Sequence, residues 1–261
     1  MPAKTAAGVK NLCPKHGGVI ARAQDGTQRL GWATDHERAS VVQRRAIFRQ
    51  LLTPRLKWRE VTGASYIPTF AQHLPVSQQA IAYAKRMHAG QRRSDGSSFI
   101  LHPLEVGSLL YGSGAPDHLV AAGVMHDLIE KTDVTASDLQ ARFGPRITAL
   151  VLNVSDDDRI RGYGSRKAAL RQQVAEAGDE ALALFAADKL SKLRELRRET
   201  AHDPGDRAGQ GPREPRARRM KHYQRSLALL EERLPQSPLV DDLRDELETF
   251  VRERSALAAA S

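Results

Sequence analysis

Leu119-Val120-Ala121-Ala122-Gly123-Val124-Met125-His126-Asp127 is apolar almost all round until it ends in an imidazole and a carboxylate. A helix without a polar face is buried on every side. The stretch therefore reads as the centre of a helical core, opened by Pro116-Asp117.

The flanking segments are helical too. Upstream, Ser77 stands as a fair N-cap, and Ala80, Ile81, Ala84 and Met87 form one apolar stripe that brings His88 to the helix end. Gln91 to Ser98 is turn chemistry, and Ile100-Leu101-His102-Pro103 leads into a second helix through Leu109. Downstream, Thr135-Ala136-Ser137-Asp138 has the form of a capping box with Asp in the acidic place, and Gly144 closes that helix. Ile147 to Val154 is a short apolar segment that ends in the acidic turn Asp156-Asp157-Asp158. Ser165 to Ala177 and Asp179 to Arg197 predict two helices separated by Gly178. Residues 199–214 predict a loop, and Arg216 to Leu234 and Leu239 to Leu257 two final helices. Alternating β-branched runs and internal repeats are absent, so the fold class is all-α.

The 261 residues suffice for one core plus appendages. Three parts are expected: a basic N-terminal extension over 1–60, a helical domain over 75–235 and a C-terminal helix over 236–261. Residues 1–60 carry 12 Lys/Arg against 4 Asp/Glu, whereas the rest carries 28 against 27, so the net charge of +9 belongs mainly to the extension. Within it, residues 1–33 lack any sustained period and read as mostly disordered. Residues 35–52 carry Val42, Ala46, Ile47, Leu51 and Leu52 at helical spacing before Pro54. A solvated basic arm is favoured over a nucleic-acid binder, because no aromatic-interleaved patch accompanies the charge. Cys13 is the only cysteine, which excludes an intrachain disulfide or thiolate zinc site and favours a reducing cytoplasm; Cys13-Pro14-Lys15-His16 is half a zinc ribbon without its second pair. No apolar run approaches ~18 residues, so neither a membrane span nor secretion is expected.

Chemistry concentrates in three words: His88 in Ala84 to Gln91, the His126-Asp127 doublet, and Asp188 in Ala187-Asp188-Lys189-Leu190. Two imidazoles and two carboxylates suit one divalent ion of intermediate hardness, Mn, Fe or Zn. Adjacent helical residues point ~100° apart, so the doublet can serve one ion only from an inward corner or a distorted helix end. His88 and Asp188 are the candidates to complete the set. Taken singly, His88 reads as a surface histidine and Asp188 as a partner of Lys189 or Lys192. His102, before Pro103, reads as a core histidine that positions the site.

These words, with Phe99 to Pro103, Ala121 to Thr132 and Ala186 to Leu196, make residues ~75–235 resemble the HD superfamily of metal-dependent phosphohydrolases. Within it, the resemblance is to the RelA/SpoT-type (p)ppGpp hydrolases, including the small stand-alone ones. It implies an HD-domain helical bundle, one Mn ion on His88, His126, Asp127 and Asp188, and a 3′-pyrophosphohydrolase of the stringent response removing diphosphate from a guanosine nucleotide. Glu130 shares a helix face with the doublet and matches the first residue of a Glu-Asp pair that activates water in those enzymes. Lys131 stands where they carry Asp; it cannot be a carboxylate base but can clamp phosphate.

Other departures concern the base. An Arg-Lys pair that helps to hold guanine in the relatives aligns with Gln79-Ala80, and an Asn near their substrate aligns with Lys192. On the phosphate side, Arg219 and Tyr223 match an Arg-x3-Tyr pair, and Lys167, Arg92 and Arg93 are further candidates for phosphate contact. For Arg92 and Arg93 a structural ion pair with Asp95 or Glu105 competes. Two alternatives stay open: an HD hydrolase of another phosphorylated nucleotide or metabolite, and a degenerate HD domain that binds nucleotide without turnover. With one helix expected after residue 235, alarmone synthesis is not the expected activity.

Overall fold

A computed structural model describes residues 66–93, 95–202 and 215–259. The expectations for the basic extension, its helix over 35–52 and the Cys13 half-ribbon lie outside those residues. After a short 3-10 turn at Thr69–Ala71 come α1 (Pro75–Met87), α2 (Leu101–Gly112), α3 (Asp117–Met125), the single-turn α4 (Leu128–Lys131), α5 (Ala136–Val154), α6 (Tyr163–Ala177), α7 (Asp179–His202), α8 (Arg216–Arg233) and α9 (Pro238–Ala259). Among the described residues the only strand-like pairing is the bridge Arg92–Ser98, which closes the loop after α1. The fold is an all-helical bundle. No helix of the described residues is long and apolar enough to cross a membrane.

The apolar helix is the centre, as its sequence dictates. Every residue of α3 from Leu119 to Met125 is buried, with α1, α2, α5 and α7 packed around it. Helix α7 is the second interior element: Ala181 to Leu190 is buried without interruption, and α8 and α9 close over its outer side. Glu180, in the first turn of α7, accepts from His118 of α3 and Arg146 of α5 at 2.8 Å each, tying three helices at one end.

Two local expectations are met and two are corrected. The Thr135–Asp138 capping box forms with both reciprocal hydrogen bonds, and Gly178, at φ 92°, breaks the chain between α6 and α7. Ser77, expected as the N-cap, is instead the third residue of α1. Its cap comes from another helix: the Asp117 carboxylate accepts from the backbone N–H groups of Val76 at 2.9 Å and Ser77 at 2.8 Å. One side chain thereby satisfies two orphan donors and fixes α1 on α3. Gly144 does end a helical run, with φ 80° and ψ 170°, but Pro145 restarts it at once, so α5 continues through Ile147 to Val154 with a kink.

Helices α2 and α3 approach closely because glycines face the contact. A Cβ on Gly123 would lie 2.4 Å from Leu110 Cδ1, and one on Gly107 2.7 Å from Val124 Cγ2. Gly123→Ala is expected to destabilise the fold by about 1–3 kcal/mol, as overpacking a tight core does. Thermal denaturation should show a midpoint several degrees lower; an unchanged midpoint would mean that the helices separate without cost.

Candidate metal centre

Four helices deliver side chains to one point. His88 caps the C-terminus of α1, its N–H bonded to Ala84 O at 2.9 Å. His102 lies in the first turn of α2, and Asp188 in the buried middle of α7. His126 and Asp127 occupy the two-residue break between α3 and α4. That break is the distorted end which the doublet required. All five residues are buried.

His126 Nε2 lies 3.3 Å from Asp127 Oδ1 and 3.3 Å from Asp188 Oδ1. His102 Nε2 lies 3.2 Å from His126 Nε2, 3.2 Å from Asp188 Oδ1 and 3.5 Å from Asp127 Oδ2. One ligand atom each from His102, His126 and Asp127 falls within 4.8 Å of the others. The structure thus brings together His126, Asp127 and Asp188, and adds His102, which the sequence suggested only as a positioning residue. His88 stands beside them: its charge interacts with Asp127, His126 and His102, and its buried Nε2 finds no hydrogen-bond partner among the described residues.

The surroundings fix the proton on each ring. His126 Nδ1 faces the Gly123 carbonyl at 2.7 Å, which only accepts, so Nδ1 donates. His88 Nδ1 faces Gln91 Oε1 at 2.8 Å, and that amide is oriented by its own Nε2, which donates to Lys131 O at 2.7 Å. His102 Nδ1 meets Ser191 Oγ at 2.9 Å, whose hydroxyl is committed to Glu105 Oε2 at 3.0 Å. In neutral imidazoles all three Nε2 atoms therefore carry lone pairs. Two such lone pairs 3.2 Å apart, against two carboxylates, repel unless a positive charge sits among them. Histidines that donate through the second ring nitrogen to a carbonyl or carboxylate-linked group are the ordinary partners of a metal. The donor set fits a divalent ion.

The protonation of the cluster follows from the charges that its side chains set against one another. Burial works against the charged forms of Asp127 and Asp188, but the cationic neighbours win. His126 and Lys192 hold Asp127 well below the usual carboxylate range, and Lys189 and Lys192 do so for Asp188. Burial lowers His126, yet Asp127 and Asp188 outweigh it and raise the imidazole above its ordinary value. Lys189 Nζ is 2.6 Å from Asp188 Oδ2 and buried against the Phe185 ring; desolvation pulls it down to about 8.

Around this cluster stand the other expected residues. Glu130 Oε1 accepts from the Asp156 N–H at 2.7 Å, and its charge acts on Lys192. Lys131 is exposed. Arg92 is exposed and donates to Gly96 O at 2.9 Å, whereas the Arg93 side chain is buried against Glu195 of α7 at 2.9 Å and its charge also acts on Asp95. Lys167 Nζ reaches Asp156 Oδ2 at 2.5 Å, and Arg219 lies 3.5 Å from Glu199 and interacts with the buried Tyr223. Lys192 is 2.9 Å from Asp188 Oδ1.

Several contributors had no signal in the sequence. Ser191 orients the His102 ring from 89 positions away and is itself held by Glu105, and Gln91 orients His88 while its own amide is anchored on Lys131 O, 40 positions on. His222 is another: burial, aided by Lys189, Lys167 and Arg171, pushes it down to about 2, and its Nδ1 accepts from Arg171 at 2.9 Å.

A family model described as "HD domain" matches residues 80–210, half of the chain. The guanosine-3′,5′-bis(diphosphate) 3′-pyrophosphohydrolase of Aquifex aeolicus is 29% identical over 129 residues, which cover 49% of this chain and 18% of that protein. The human protein of the same name, MESH1, is 35% identical over 124 residues, covering 46% of this chain and 69% of MESH1. Against most of these curated relatives the chain spans less than a quarter of their length. A solved metazoan ortholog of SpoT, described as hydrolysing ppGpp, superposes with a TM-score of 0.54 over 73% of this chain and 98% of that one; at 22% identity this is a likeness of fold.

Proposed function

The chain belongs to the HD-domain family, and from that premise we propose that it is a metal-dependent phosphohydrolase acting on a nucleotide that carries a diphosphate, with (p)ppGpp as the substrate and 3′-pyrophosphate release as the reaction. One observation carries this reading: buried imidazole nitrogens and two carboxylates from separate helices converge on one point, a donor set that suits a divalent cation. His126, Asp127 and Asp188 hold the ion, joined by His88 or His102, and manganese is the metal proposed.

When bound, the ion supplies Lewis-acid polarisation and water of lowered pKa. The side chains do the rest. Glu130 keeps one carboxylate oxygen beyond its bond to Asp156, and that oxygen is the proposed acceptor of the attacking water's proton. Lys131 and Arg92, both exposed, meet the phosphates. Lys167 on α6 and Arg219 and Tyr223 on α8 are the further residues proposed to meet the substrate. Arg93 orders the loop through Glu195. The lone cysteine, Cys13, fits a cytoplasmic setting in which the protein serves the stringent response.

The test is product analysis with Mn-loaded protein on ppGpp and on general phosphoesters. Pyrophosphate and GDP are expected from ppGpp. Release from other phosphorylated nucleotides alone would move the substrate to the second reading, which the loss of the Arg-Lys pair at Gln79-Ala80 favours; no turnover of any would leave a binding domain.

Lys131 gives a signed test of the phosphate contact. Its main chain is held by Gln91 beside His88, so the side chain starts at the edge of the centre. Lys131→Asp exchanges a cation for an anion there and should raise KM about tenfold with kcat little changed, the pattern of lost uniform binding. A rise in kcat would instead show that this position serves as a carboxylate base.

A further inference from the structure

Lys192 lies one turn beyond Asp188 on α7, and its ammonium nitrogen is 2.9 Å from Asp188 Oδ1 and 3.7 Å from Asp127 Oδ1. Those two oxygens are the same ones that lie 3.3 Å from His126 Nε2. The ammonium therefore addresses the atoms that would ligate the ion. Asp188 has no other oxygen to offer, because Lys189 takes Oδ2 at 2.6 Å from within the core. The two lysines differ in access. Lys189 is 4% exposed and locked beneath the Phe185 ring, whereas the Lys192 side chain is 34% exposed and can swing outward.

Charge sharpens the point. Asp127 and Asp188 carry two negative charges, and Lys189 and Lys192 two positive ones, so the pair of carboxylates is already balanced by the protein. A divalent ion entering that balance displaces the ammonium it replaces, and a displaced ammonium beside a dication needs a new anion.

We propose that Lys192 is a tethered competitor for the metal and, once displaced, a phosphate ligand, so that ion and phosphorylated substrate load the centre cooperatively. The proposal rests on the metal-centre reading above. Linkage then requires reciprocity: the anion tightens the ion as much as the ion tightens the anion.

The experiment is titration of the full-length protein with Mn(II), free Mn(II) being read by its EPR signal, with and without inorganic phosphate, and with phosphate-only blanks correcting for chelation. Lys192→Met removes the charge and keeps the length; Lys192→Arg keeps the charge. At a partly exposed position both should fold, which circular dichroism checks. Wild type and Lys192→Arg are expected to bind Mn(II) weakly alone and several-fold more tightly with phosphate. Lys192→Met should bind about tenfold more tightly without phosphate, the scale of one charge-assisted contact, and gain nothing from the anion. Equal affinity and equal phosphate response in wild type and Lys192→Met would overturn the proposal while leaving the metal centre standing. Absence of Mn(II) uptake by either protein would overturn both.

Discussion

Protein carrying His126→Ala or Asp188→Asn emerges from Mn(II) loading and desalting with its stoichiometric metal lost. His126 is the pivot of the site, its Nε2 3.3 Å from both Asp127 and Asp188 and its ring clamped by the Gly123 carbonyl. Removing it leaves ligands on scattered helices with neither the affinity nor the orientation that a clamped ring supplies; lost orientation alone typically costs 10- to 100-fold in affinity. Asp188→Asn is preferred to Asp188→Ala because it keeps the volume. Alanine would also strip the partner from the buried Lys189, and breaking a buried ion pair costs roughly 3–5 kcal/mol, which confuses lost metal with lost fold. The readout is metal per protein by elemental analysis, and unchanged content in both variants would show that the ion sits elsewhere.

Glu130→Gln removes most turnover, by roughly 10²–10⁴-fold, the usual worth of general acid–base assistance. The substitution is clean for a structural reason. Glu130 Oε1 accepts the Asp156 N–H, and an amide oxygen accepts it equally, so the α4–α5 region keeps its anchor while proton acceptance is lost. With Lys131 in the place of a second carboxylate, no other acid on α4 can substitute. The check is kcat at saturating substrate, beside an unchanged circular dichroism spectrum. Wild-type turnover in the variant would place the reacting water away from Glu130.

The reach of the sequence can be read residue by residue. The burial of α3 was legible because an all-round apolar stretch has only one place to go. The Thr135 box was legible because both partners lie within four residues. The cap of α1 was not, since Asp117 reaches Ser77 across 40 positions, and local pattern made Ser77 itself the obvious cap. His102 shows the same limit within the site. Its spacing says nothing of a ring nitrogen 3.2 Å from His126 and 3.2 Å from Asp188, because those neighbours come from α3 and α7. Gly144 was recognised as a terminator, but Pro145 is as good a first residue as it is a poor interior one, so the chain resumed its helix. The His126-Asp127 corner was anticipated from geometry alone, as two adjacent side chains can share a target only where the helix breaks.

The central claim is that one divalent ion sits where these side chains meet, and anomalous diffraction at the manganese edge from Mn-loaded crystals tests it directly. The account predicts a single strong peak in contact with His126, Asp127 and Asp188, with His88 or His102 completing the set. No peak among those residues, or a peak at another place on the molecule, would contradict it.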